Sequence, residues 1–122
     1  MFLLDWFKRV RARRTQVVLR QTSDHLGSRD LSARLEGSGD LVIRGQDIGR
    51  GVEDFFGEGL REYEWVWTIR AAEISKLAEA LGAPEDILGA LAARFSGDRS
   101  GELGKFLESR GITVERWSRT GD

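Results

Sequence analysis

The chain of 122 residues is 40% hydrophobic and 32% charged, carries a formal charge of −1, and has no cysteine. That size and balance suit one soluble domain with its own core, and the missing thiols exclude disulfides and thiolate metal ligation. A chain without cysteine suits a reducing cytoplasm, although it could also be exported, and no apolar run approaches the roughly 20 residues that span a bilayer.

The charge is unevenly placed. Residues 1–20 carry six basic side chains against Asp5, giving +5, and the other 102 carry thirteen basic and nineteen acidic, giving −6. A basic arm on an acidic body often marks interaction surfaces. Arginine outnumbers lysine sixteen to three beside abundant alanine and glycine, a bias of GC-rich coding more than of phosphate recognition. The apolar start, Met1 to Phe7, is short for a signal core, and its positive charges follow it instead of preceding it.

Residues 2–13 read as a short helix in which Leu3, Phe7 and Val10 share a stripe beside Trp6, while Lys8, Arg9, Arg11 and Arg13 cover the rest. This arm, residues 1–14, precedes a single domain over 15–122. Residues 15–22 alternate as a first strand, and 25–30 form a loop. Leu31, Ala33 and Leu35 alternate with polar neighbours in a second strand. Gly37-Ser38-Gly39-Asp40 supplies a tight reversal, and Leu41–Arg44 returns as a third, making 31–44 a hairpin. Gly45–Gly51 reads as a glycine-punctuated loop, with a helical turn near Val52, Phe55 and Phe56.

Glu62–Ile69 is the expected central strand. Tyr63, Trp65, Trp67 and Ile69 fall on a buried face, and Glu62, Glu64, Val66 and Thr68 on the other. At a fully buried site Trp65→Ala would cost about 3–5 kcal/mol.

The period then changes to that of helices. Ile74, Leu77, Ala78 and Leu81 line a helix over 71–81 that Gly82 closes. Pro84, Glu85 and Asp86 open a second with Ile87, Leu88, Leu91 and Phe95 inward. Ser100 caps a third with Leu103, Phe106 and Leu107 inward, stopped by Gly111. Ile112–Trp117 is a last strand and 118–122 a polar tail. This order predicts an α+β, two-layer domain: a mainly antiparallel sheet of four to five strands, three C-terminal helices on one face, and a short N-terminal helix.

Motifs for chemistry are sparse. His25 is the sole histidine, with Asp24 and Asp30 near it in sequence, and one imidazole is too few for a His-based metal site. Gly45, Gly49 and Gly51 follow a strand as a phosphate loop would. They lack the Lys and Ser/Thr of a P-loop, however, and Asp47, Glu53 and Asp54 would repel phosphate. Asp47, Glu53, Asp54 and Glu58 do not match a calcium loop, and no Ser/His/Asp or Cys/His set is present. Neither enzyme activity nor a cofactor is expected.

From Glu36 to Glu64 eight acids face three arginines, a net −5. Such a surface favours a basic protein partner, with Asp47, Glu53, Asp54, Glu58, Glu62 and Glu64 as the contact residues. The alternative is a peripheral membrane or scaffold protein in which Phe2, Trp6, Phe7, Lys8 and Arg9 rest on anionic lipid. Nucleic acid is not expected, because phosphate binding needs basic charge spread over a folded face.

The run Leu41–Gly49, then Glu62-Tyr63-Glu64-Trp65, a helix pair, and the closing Gly111-Ile112 and Trp117-Ser118-Arg119 resemble a family of small uncharacterised α+β proteins from GC-rich bacteria. They also resemble immunity proteins of polymorphic toxin systems. The likeness covers residues 30–120 and leaves out the basic arm. It implies neutralisation of a toxin, with the acidic face covering a basic active site.

Overall fold

A computed structural model of the chain describes residues 15–122. The N-terminal helix, and with it the lipid-facing Phe2, Trp6, Phe7, Lys8 and Arg9, falls outside the described residues. Five antiparallel strands form one sheet in sequence order: β1 (Gln16–Asp24), β2 (Gly27–Leu35), β3 (Leu41–Ile48), β4 (Glu62–Ile69) and β5 (Glu115–Gly121). Helix α1 (Arg50–Phe56) lies between β3 and β4. Between β4 and β5 come α2 (Ala71–Leu81), α3 (Ile87–Phe95), a 3₁₀ turn (Gly97–Glu102) and α4 (Leu103–Ser109). The α+β class and the antiparallel sheet match the sequence reading.

One side of the sheet is apolar because alternate residues of each strand face the same way. Val17, Leu19, Leu31, Ala33, Leu41, Ile43 and Ile69 join Leu77, Leu81, Leu88, Leu91, Phe95, Leu103 and Leu107 in one cluster. We call this the core side. Its opposite, the outer side, carries Val18, Arg44, Val66 and Trp117 across one row of the sheet.

Several expectations shift. The strand Glu62–Ile69 is not central: β3 holds the middle and β4 lies between β3 and β5. Alternation identifies a strand's faces but not its neighbours. Strand β3 runs on through Gly45 to Ile48, and the His25 loop shrinks to a two-residue turn as β1 and β2 lengthen toward it. Pro84 and Glu85 belong to a turn, and α3 starts at Ile87 where Asp86 accepts the Gly89 N–H at 2.9 Å. Ser100 caps nothing; its hydroxyl donates to the Gly97 carbonyl within the 3₁₀ turn. The last strand begins at Glu115 instead of Ile112, because Ile112 is buried in the core and its N–H closes α4 on the Leu107 carbonyl. No helix among the described residues is long and apolar enough to cross a membrane.

Two polar clusters fasten α2, one to the β2–β3 turn and β5 and the other to the segment just before β5. Asp40, in the β2–β3 turn, accepts the Ala71 N–H at 2.8 Å and so serves the start of α2 in place of a local cap. Arg70 bridges Asp40 and Glu115 at 3.1 and 2.9 Å. The Ala71 N–H, followed by Arg70, lowers the Asp40 pKa.

In the second cluster Glu73 accepts the Thr113 N–H at 2.7 Å and pairs with Lys76 at 3.1 Å. These donors, the Thr113 N–H foremost, pull the Glu73 carboxyl from about 4.5 to about 2. A carboxylate depressed by folding stabilises the protein above its unfolded pKa and ceases to as pH falls through the folded one. Glu73→Gln should therefore remove stability at pH 6 but progressively less between pH 4.5 and 2. Urea midpoints of both proteins across that window check it, and a constant difference would contradict it.

Candidate binding groove

The aromatic residues of β4 face the core side but are not absorbed by the core. Ile69 is fully buried, whereas Tyr63, Trp65 and Trp67 are half-buried, so the expected buried face holds only at its last residue. Rings run in contact from α1 along the strand. Phe55 meets Phe56 edge-on at 4.8 Å between centroids, Phe56 meets Tyr63 at 5.0 Å, and Tyr63 stacks on Trp65 at 5.3 Å. Trp67 continues the same face two residues on, with the Arg116 guanidinium of β5 over its ring at 4.6 Å.

Two glycines shape this row. Gly45 stands opposite Trp65 on the β3–β4 ladder, and a Cβ there would overlap the indole ring, so the ring occupies space that any side chain would take. Gly104 lets α4 approach Trp67, where a Cβ would lie 3.1 Å from the indole. Neither glycine has a positive φ. Their service is close approach, not backbone freedom.

A cavity of about 540 Å³ lies along the row, floored by Tyr63, Trp65 and Trp67 and walled by Gly104 and Lys105 on one side and Arg116 on the other. A second, of about 440 Å³, opens beyond Tyr63, toward α1 and the β1–β2 turn. Half-exposed aromatic rings, with a guanidinium over Trp67, make a stacking surface with a large apolar area and few rotatable bonds.

The six acidic candidates do not form one surface. Glu62 and Glu64 project to the outer side, paired with Arg119 at 3.3 and 3.5 Å, and Glu62 also accepts from Gln46 at 2.9 Å. Asp47 lies on the core side with Arg29 at 3.4 Å. Glu53 accepts the Gly59 N–H at 3.1 Å and closes the loop after α1. Only Asp54 and Glu58 are exposed without a partner among the described residues, and they flank the 82%-exposed Phe55.

His25 is exposed in the β1–β2 turn and borders neither cavity. The N–H groups of Gly49 and Gly51 donate to the carbonyls of Arg61 and Leu26, so this loop spends them within the chain. No group of three metal-ligating side chains occurs among the described residues. Sequence reasoning missed Arg116 and Arg20, which border the cavities, and the exposure of Phe55. The adjacency of Asp54, Phe55 and Phe56 at the end of a predicted turn was the one available signal.

No family model matches the chain, and neither a curated protein nor a solved structure does. The likeness to immunity-type proteins thus rests on the residues quoted for it.

Because Trp65 is half-buried, Trp65→Ala should cost about 2 kcal/mol, less than full burial would demand. Gly45→Ala should cost about 1–3 kcal/mol by overpacking the indole, and close to nothing in a Trp65→Ala background. Urea unfolding of the two single variants and the double variant measures that coupling. Additive costs would mean that the ring does not lie over Gly45.

Proposed function

We propose that this chain is a non-enzymatic protein-binding module that holds a basic, apolar-faced segment of another protein. The contact lies at the Phe55–Phe56–Tyr63 end of the aromatic row. The observation that carries this reading is Phe55, 82% exposed, in ring contact with Phe56 and flanked by the exposed Asp54 and Glu58. An aromatic anchor within a charged rim is the usual make-up of an energetic centre in a protein interface. Exposed apolar rings in contact are otherwise a solubility cost.

The charge part of the reading is narrower than a whole acidic face. Glu62, Glu64, Asp47 and Glu53 already have partners within the chain, so recruiting them would mean breaking those contacts first. Asp54 and Glu58 carry no such cost. The three helices after β4 are read as covering one side of the sheet, which the core cluster they share with the strands supports. An immunity-type inhibitor that covers a basic site on a toxin is one protein of this kind, and it would act in the cytoplasm.

The test is copurification from native cells using the full chain, followed by titration of the captured protein. One basic protein should be recovered in stoichiometric amount. Asp54→Lys with Glu58→Lys should weaken its binding at least tenfold, about 1.4 kcal/mol, and flatten its salt dependence. Phe55→Ala should weaken it similarly at any salt. Thermal melts should be unchanged, since all three side chains are exposed. Affinity untouched by both changes overturns the reading.

A further inference from the structure

We propose that the 440 Å³ cavity beside β1 and β2 binds a monocarboxylate carried on an apolar group, with Arg20 as its anion-binding residue. The site is separate in chemistry from the protein contact above, although Phe55 and Phe56 border both.

The placement of Arg20 begins with an irregularity in β1. Val18 pairs with Ser32 and Arg20 with Leu31, so Leu19 is an extra residue in the ladder, a β-bulge. Simple alternation from the buried Val17 would put Leu19 on the core side and Arg20 on the outer side. The bulge keeps Leu19 buried, at 2% exposure, and turns Arg20 to the core side as well, opposite the buried Leu31. Bulges commonly re-aim one side chain in this way. Here the re-aimed group is a permanent cation that borders a cavity.

Among the described residues no carboxylate pairs with that cation. The Arg20 Nε is buried and has no hydrogen-bond partner among the described residues. A charged donor shielded from water without an acceptor is unusual enough to call for a reason. The other charges of the lining are engaged: Arg29 with Asp47 at 3.4 Å, and Asp24 with the Leu26 N–H at 2.8 Å. An incoming monoanion would pair with the Arg20 charge, whereas the second charge of a phosphate would face Asp24 and Asp47 without a cation to match it.

The remaining wall decides the rest of the ligand. Leu26, Val52, Phe55 and Phe56 provide an apolar side, and the volume lies in the range of small-molecule sites, about 300–1,000 Å³. Carboxylate at one end and an aromatic or acyl body at the other is the chemistry that fits both walls. A free acid and the C-terminus of an apolar peptide share it.

The experiment titrates the full chain by calorimetry with 3-phenylpropionate and, in parallel, with its neutral amide. A second arm compares an N-acetylated peptide ending in phenylalanine, as free acid and as amide. The acid of at least one pair should bind saturably at one site, at least tenfold tighter than its amide, and the tighter acid identifies the source. Arg20→Gln should bring that acid down to the level of its amide without altering the amide. Arg20→Lys should keep part of the preference. The acid–amide comparison on the unaltered protein needs no variant, so a misfolded variant does not blunt the test. Absence of saturable binding in both arms, equal binding of acid and amide, or an acid preference that survives Arg20→Gln each overturns the proposal. These outcomes turn on the acid preference that Arg20 gives, which the Asp54, Glu58 and Phe55 variants do not probe, so the reading of the Phe55 surface keeps its own test.

Discussion

The indole of Trp65 lying over Gly45 orders the candidate site. A tryptophan in a strand ordinarily stands off the sheet, held upright by the side chain across from it. With no side chain at Gly45, the ring takes that space instead. Tyr63 then stacks on the indole, Phe56 meets Tyr63, and Phe55 meets Phe56. At the other end Gly104 brings α4 down toward Trp67 and sets the wall of the larger cavity. The groove is therefore defined as much by two missing side chains as by the rings.

Local periodicity made the helical part of the fold legible. Helix α2 spans residues 71–81 as read, and Gly82 closes it with a φ of 68°. The hairpin of β2 and β3 was equally clear from its paired glycines. What stayed hidden depends on contacts remote in sequence. Strand β5 is an edge strand exposed along almost its whole length, so it shows no alternation to locate it. Strand β4 looked central because its aromatics are the largest apolar group, but rank in a sheet is set by which strands add beside it. The bulge at Leu19 is invisible to a pattern of period two, and so the inward turn of Arg20 could not be anticipated.

The acidic tract shows the same limit in electrostatic form. Counted along the chain, residues 36–64 are strongly acidic. Folding sends Glu62 and Glu64 to one side of the sheet and Asp47 to the other, and Arg119, remote in sequence, bridges the first two and offsets one of their two charges. Exposed pairs of this kind contribute little to stability, yet they decide which charges a partner would meet. Asp54 and Glu58 remain exposed and without an ion-pair partner among the described residues.

The aromatic row is also not needed to complete the core. The largest fully buried side chains are all aliphatic: Leu41, Ile43, Ile69, Leu77, Leu88, Leu91, Leu103 and Leu107. With Phe95 and the other buried residues they form the cluster between the sheet and the helices, while Trp65 and Trp67 are only partly buried against it. A row that served only stability would lie within the cluster, where its area would be worth most. Placed at the margin, each ring gives one surface to the fold and keeps another open. A rigid apolar surface that is already ordered loses little entropy on binding, and this makes the row suited to recognition.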